Sequence, residues 1–142
     1  MNTSSKRKTM KLSEDLNTKL ESDSELQALK RDRDTLQKEI AAQECIISNV
    51  EWKLQRNFVV DWILTEKLFE LESGGSESVV NCELIQDFIQ DLKTQNYAQF
   101  QKAGNASSKR ADFQTMYDSI NKKCGERHRQ IVDAHETTLP NN

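Results

Sequence analysis

Residues 26–54 read LQALKRDRDTLQKEIAAQECIISNVEWKL, and this stretch decides the fold. With Leu26 at heptad position a, seven of the nine a and d positions through Leu54 are apolar. A run of four heptads with this spacing is typical of a coiled-coil helix, because one apolar residue every 3.5 positions keeps the stripe on one side. We call these nine positions the a/d seam: Leu26, Leu29, Arg33, Leu36, Ile40, Gln43, Ile47, Val50 and Leu54.

The surrounding sequence extends this stretch into a predicted long coiled-coil helix over residues 12–72. The polar run that starts at Glu72 ends it, because the adjacent Gly74 and Gly75 release the backbone for a reversal. The only proline is Pro140, so no earlier residue is barred from a helix by a locked φ angle. No stretch alternates apolar and polar residues as a strand would. The sequence therefore predicts an elongated, all-α protein.

Two shorter helices are predicted after the long one, over residues 78–103 and 107–137. Gly104 and Asn105 separate them, and Ser107 or Ser108 is a suitable N-cap for the last helix. We expect both helices to pack back on the long helix as a helical hairpin or bundle. The other segments are predicted to be a disordered basic arm, a linker and a disordered tail, at residues 1–11, 73–77 and 138–142.

Between Ile46 and Leu71 the long helix is apolar on several faces, which is typical of a helix surrounded by others. The last predicted helix carries a narrower apolar stripe. Tryptophan is enriched among side chains that anchor protein interfaces, but the same side chains also suit the core of a bundle. Both interpretations stay open for seven residues: Trp52, Phe58, Trp62, Ile63, Phe113, Tyr117 and Ile120.

A partner chain is predicted from the length of the first helix. A helix of about 55–60 residues is roughly 80–90 Å long, and two later helices of about 40 Å cover only half of it. We expect the half from Leu12 to Gln43 to need another chain, the alternative being a bundle in which the first helix is kinked. In a parallel homodimer Arg33 would face its own copy, so a different coiled-coil subunit, and hence a hetero-oligomer, is favoured.

The composition suits such a subunit better than a self-sufficient globule. Apolar residues make up 35% and charged residues 30% of the chain, and the net charge of −3 does not indicate a nucleic-acid binder. The three cysteines are far apart and odd in number, which favours a reducing compartment. No apolar run is long enough for a transmembrane segment. The expected location is the cytoplasm, the nucleus, or both.

The sequence predicts no catalytic residues, metal site, cofactor or small-molecule substrate, and hence a protein that is not an enzyme. No phosphate-binding glycine loop, nucleophile elbow or His-Glu-x-x-His metal motif occurs. Cys124, His128 and His135 share one helical face, but the first and last would lie about 16 Å apart along the helix axis. Zinc ligands must all lie about 2.0–2.3 Å from one ion, so these three residues do not make a zinc site.

The basic cluster Lys6, Arg7 and Lys8 lies in the predicted arm. It could act as a nuclear-localisation element, or it could contact an acidic surface such as a microtubule, DNA or anionic lipid. This gives an alternative function: a small helical binding module that contacts nucleic acid or an anionic membrane through the arm.

As an architecture, the region from Leu12 to about Ala134 resembles the small coiled-coil subunits of spindle and kinetochore assemblies, of the augmin and Mis12 type. These are short helical chains with a basic or disordered arm and no catalytic motif. The resemblance implies a structural, scaffold-like role in mitosis and cell division, at the spindle cytoskeleton, with microtubule contact through the arm. Subunits of vesicle-tethering and transcription-scaffold complexes have a similar layout, and that alternative stays open.

Overall fold

The computed structural model describes residues 3–72 and 78–138, with side chains for 13–72 and 79–138. Three α-helices account for all the described residues except Asp23 and Thr138: α1 Thr3–Ser22, α2 Ser24–Glu72 and α3 Ser78–Thr137. No strand occurs in the described part of the chain, so the all-α prediction is confirmed. None of the described helices is long and apolar enough to cross a membrane. The predicted linker at 73–77 and the tail from residue 139 lie outside the described residues.

The two short helices predicted after the linker are one helix, α3, of 60 residues. Gly104 and Asn105 lie inside it, so the predicted break there is wrong, and neither Ser107 nor Ser108 is an N-cap. Ala106 is buried and Ala103 is half-buried on the same side of this turn. A single glycine costs a helix about 1 kcal/mol relative to alanine, and the packing around these alanines outweighs that cost.

The predicted long helix 12–72 is also wrong at its beginning, because the chain leaves helical geometry at Asp23. The Asp23 side chain caps α2: its Oδ2 accepts a hydrogen bond from the Leu26 backbone N–H at 2.8 Å. The Gln27 side chain donates to the Leu20 carbonyl at the end of α1. α1 begins at Thr3, within the region predicted as a disordered arm. The side chains of Lys6, Arg7 and Lys8 lie outside those that the structure describes.

The chain divides into two compact units. Unit 1 comprises Met1–Glu39 and Asp112–Asn142, and unit 2 comprises Ile40–Ala111. Unit 1 contains α1, the start of α2 and the end of α3. Its buried core consists of Leu26, Cys124 and Ile131, and the half-buried side chains packed against it are Leu16, Leu20, Leu29 and Ile120.

Unit 2 contains the rest of α2 and α3, which run antiparallel. Glu44 on α2 approaches Arg110 on α3, and Asn57 approaches Asn96, so the residue number rises on one helix as it falls on the other. The most buried apolar side chains of this unit are Val50, Leu92 and Ala106.

All nine positions of the a/d seam are buried or half-buried inside the chain. In unit 1, Leu26 is only 1% exposed and packs with Cys124, and the Arg33 guanidinium donates to the Asn121 side chain at 3.3 Å. The prediction that the first half of the seam lies bare is therefore wrong, because α3 is long enough to reach it. The seam residues do not form a free partner-binding surface.

Candidate interaction face

Within unit 2, α2 carries apolar side chains on two sides. Val50 and Asn57 are buried and Leu54 and Leu64 are half-buried on the side that includes the a/d seam. The other side is exposed, and we call it the outer face: Trp52, Phe58, Val59, Trp62, Ile63 and Phe69. Its four aromatic side chains are 62–78% exposed.

Helix geometry shows that the outer face is a separate surface. At about 100° per residue, its six side chains span an arc of about 140°. The centre of this arc lies about 150° from the centre of the covered side. Packing of α2 against α3 therefore leaves the outer face uncovered. Soluble monomers rarely expose contiguous apolar patches larger than a few hundred Å² without a function.

The outer face also has its own heptad spacing. Steps of three and four residues connect Trp52, Gln55, Val59, Trp62, Glu66 and Phe69. This is the spacing of the a/d seam, displaced to the opposite side of α2. Side chains with this spacing pack lengthwise against a second helix, and only Gln55 and Glu66 interrupt the apolar stripe.

Charged side chains border the outer face. The Arg56 guanidinium lies over the Trp52 ring, 5.4 Å from its centroid, in the geometry of a cation–π contact. Lys67 and Glu70 form an ion pair at 3.5 Å. Glu51 and Glu66 are exposed and have no ion-pair partner among the described residues. The outer face and its edges therefore present charge of both signs to an approaching chain, with Glu66 near the middle of the face.

α3 adds further exposed apolar surface to unit 2. Its exposed side chains there are Val79, Val80, Leu84, Phe88, Tyr97 and Phe100. Together the two helices place in unit 2 twelve of the thirteen large apolar side chains that are exposed in the described part of the chain. The thirteenth, Met116, lies in unit 1.

A polar layer lies on the covered side of α2, behind the outer face. The Asn57 amide donates to the Asn96 side-chain oxygen at 3.0 Å, and Asn57 is only 3% exposed. Arg56 donates to the Asn57 oxygen at 3.4 Å. The buried Gln99 Oε1 has no hydrogen-bond partner among the described residues. A buried asparagine pair in an apolar helix interface favours one register, because any shift leaves the amides unpaired.

The strongest electrostatic contact of unit 1 joins the α1–α2 junction to α3. Arg127 donates to both Asp23 carboxylate oxygens, at 2.7 and 3.0 Å, and its Nε lies 3.3 Å from the Glu25 carboxylate. The hydrogen bond from Arg127, followed by that from the Leu26 N–H, lowers the pKa of Asp23 to about 2. The same contact raises the pKa of Arg127.

Next to this ion pair, Lys19 Nζ on α1 lies 3.0 Å from Nδ1 of the buried His135. Since a lysine ammonium only donates hydrogen bonds, the imidazole nitrogen is the acceptor. Both pairs line an open cleft of about 490 Å³. The charged groups of the cleft are bound to one another, so they hold α1 and α3 together.

The structure brings some of the predicted site residues together and separates others. Trp52, Phe58, Trp62 and Ile63 are exposed on one face, so they are not bundle core within this chain. The other three residues with two interpretations are half-buried on α3 in unit 1: Phe113, Tyr117 and Ile120.

Sequence reasoning missed several residues that matter in the structure. Val59 and Phe69 complete the outer face, and the repeat of three- and four-residue steps from Trp52 could have revealed both. Asp23 could have been found as an N-cap, because the leucine spacing changes from four residues to the heptad next to it. The Asp23–Arg127 pair joins residues 104 positions apart, and nothing local in the sequence indicates it.

The described residues contain no group of three His, Cys, Asp or Glu side chains that could hold a metal ion. Comparison with models of protein families, with curated proteins and with solved structures gave no match to the chain.

Proposed function

We propose that this chain is a non-enzymatic structural subunit that assembles with other protein chains through the outer face of α2. The observation that carries the proposal is the exposed second heptad stripe, which the described part of the chain does not cover. An aromatic side chain contributes about 150–250 Å² when buried. The four aromatic residues of the outer face therefore leave roughly 550 Å² for a partner to cover, at the upper end of the ~300–600 Å² of the largest apolar patch on a typical monomer, which is often functional.

The outer face has the composition of an interface anchor. Two tryptophans and two phenylalanines lie on it, and polar and charged side chains lie between and beside them. Aromatic anchors surrounded by polar residues supply most of the binding free energy in many protein interfaces. A helix with apolar residues at matching heptad positions is the partner element that this geometry accepts.

Whether the partner is a different subunit or a second copy of the chain must be inferred from the side chains of the outer face. The sequence favoured a hetero-oligomer because Arg33 would oppose itself across the seam, but Arg33 contacts Asn121 of its own chain. That argument no longer separates a different subunit from a second copy.

The resemblance to spindle and kinetochore subunits supplies the setting that we propose: a scaffold role in cell division, in the cytoplasm or nucleus and at the spindle. The all-α fold with long helices supports it as an architecture. A fluorescent fusion followed through mitosis tests it. Accumulation at spindle microtubules or kinetochores is expected, and a uniform distribution through mitosis would contradict the setting without touching the assembly role.

The assembly role is tested by comparing two single substitutions in the tagged full chain. Trp62→Glu places a charge in the centre of the outer face, and Met116→Glu is the matched control at an exposed apolar residue of unit 1. Quantitative mass spectrometry of purified complexes should show chains that the Trp62 variant loses and the Met116 variant keeps. Equal recovery of every co-purifying chain with the two folded variants would refute the role of the outer face.

A further inference from the structure

We propose that the occupant of the outer face is a second copy of this chain, packed antiparallel α2 to α2 around a two-fold axis near residues 60 and 61. The inference rests on the proposed function, since it names the partner of the same face. In this alignment Trp52 opposes Phe69 of the second copy, and Val59 opposes its Trp62. For every pair of residues that face each other across the two copies, the two residue numbers add up to 121.

The polar residues of the stripe select this alignment. Gln55 and Glu66 are the only members that are not apolar, and this alignment sets them opposite each other. A glutamine amide donates to a carboxylate, so both polar groups are satisfied where they become buried. Every other layer then pairs an apolar residue with an apolar residue.

Other alignments lose this match. Moving the second copy by one heptad in either direction sets Gln55 against Val59 or Glu66 against Trp62. Burial of a polar group without a hydrogen-bond partner costs about 1–3 kcal/mol. A parallel in-register pair would bring Glu66 against its own copy near the middle of the interface, and like charges in contact repel.

The charged edges agree with the antiparallel alignment. Side chains on a helix tilt toward its N-terminus, so Arg56 of one copy and Glu70 of the other lean toward each other. Two such pairs form around the axis, and Ile63 lies close to its own symmetry copy. Two edge contacts are unfavourable: Glu51 lies beside Glu72 of the second copy, and Arg56 lies beside its Lys67. Both are at the solvent-exposed rim, where repulsion costs little.

The area is sufficient for a dimer. Roughly 550 Å² of aromatic surface per copy, with Val59, Ile63 and the polar edges added, brings the total for two copies to about 1,400 Å². Specific protein interfaces bury about 1,200–2,000 Å² in total. The dimer joins two antiparallel helix pairs into four helices, so the outer face becomes the centre of a core.

The test is the mass of the purified full chain by sedimentation equilibrium, from about 1 to about 100 µM. A reducing agent is present, because Cys45 is an exposed free thiol. We expect a mass twice that of the 16.4 kDa chain. Trp62→Glu should weaken dimerisation more than about 100-fold, because the residue occurs once in each copy, whereas Met116→Glu should leave the mass unchanged.

Charge substitutions test the alignment. Arg56→Glu should weaken the dimer about 3- to 10-fold, and the added Glu70→Arg should restore it, since the reversed pair re-forms across the axis. Glu51→Lys should tighten the dimer by a similar factor, because it turns the repulsion between residue 51 and Glu72 into an attraction. Circular dichroism verifies that each variant remains helical.

The outcomes separate this inference from the proposed function. A folded wild-type chain that stays a monomer throughout the concentration range, or a dimer that Trp62→Glu leaves intact, would overturn the second copy as occupant. A dimer in which Glu70→Arg fails to rescue Arg56→Glu would overturn the antiparallel alignment. In each case the outer face can still bind a different chain, and the mass-spectrometric comparison above decides that question independently.

Discussion

Unit 1 and unit 2 are built from the same two helices, α2 and α3, but they differ in what covers them. In unit 1 a third helix, α1, packs Leu16 and Leu20 against the buried core. Only Met116 is a large exposed apolar side chain among the described residues of that unit. Unit 2 has no third helix among its described residues, and α2 presents an aromatic outer face instead.

This difference indicates which apolar surface of the chain still needs a covering element. A pair of amphipathic helices buries one stripe on each helix, so a second apolar stripe requires a third element. Unit 1 supplies that element from its own sequence. Unit 2 has the second stripe without the element, so we infer that another chain provides it.

The largest difference between the two units is expected when one leucine in each is truncated to alanine and the losses in free energy of unfolding are compared. Leu26→Ala removes a side chain that is 1% exposed in unit 1, and Leu84→Ala removes one that is 61% exposed in unit 2. We expect the first to lower the free energy of unfolding by about 2–5 kcal/mol and the second by less than about 0.5 kcal/mol. Urea denaturation followed by circular dichroism measures both. Equal losses would contradict the burial difference.

The polar layer of unit 2 should show a smaller effect. Asn57→Ala leaves the Asn96 amide without its partner, so we expect a loss of about 1–3 kcal/mol in the free energy of unfolding. Replacement of both residues by leucine removes the unpaired group and should restore or exceed the original stability. If the double leucine variant were less stable than Asn57→Ala, the asparagine pair would contribute net stability to the folded chain, and its role would not be limited to fixing the register of α2 and α3.

Acid should weaken the α1–α2 junction of unit 1, because it protonates Asp23 in the Asp23–Arg127 ion pair. Loss of this ion pair should not change the stability of unit 2. The folded pKa of Asp23 is lowered to about 2, below the usual unfolded value of about 3.9. A depressed carboxyl pKa contributes stability that is present above the unfolded value and is lost as the pH falls from about 4 toward 2. The protection of the α1 amides against hydrogen exchange, relative to the intrinsic exchange rate at each pH, should therefore fall over this range.

Asp23→Asn is the matched control for the acid effect. Asparagine is as good an N-cap as aspartate, but it does not titrate and cannot form the ion pair with Arg127. In this variant the junction should be weaker at neutral pH, and its exchange should no longer respond to acid through residue 23. An unchanged acid response would show that other carboxylates cause it.

The sequence was sufficient for the fold class and for the apolar rhythm of α2, since both depend on local spacing. The a/d seam is buried or half-buried along its length, but the sequence predicts another chain as the cover of its first half, because the pattern predicts a helix end at Gly104 and Asn105. Which helix covers which stripe depends on contacts between distant residues, such as Arg33 with Asn121. For the same reason the sequence alone leaves the tryptophans of the outer face as either interface anchors or bundle core. Only the position of α3, which packs on the other side of α2, decides between these two interpretations.

The glycines of α3 should give the smallest effect, in the opposite direction. A Cβ added at Gly104 or Gly125 meets no atom within 4 Å. Each alanine substitution should therefore raise the free energy of unfolding by about 0.4–1 kcal/mol, because it lowers the entropy of the unfolded chain and favours the helix. The two gains should add, because the sites are distant and belong to different units. If the helix ended at Gly104, as the sequence predicted, Gly104→Ala would instead destabilise the protein, so thermal unfolding of this one variant distinguishes one long α3 from two short helices.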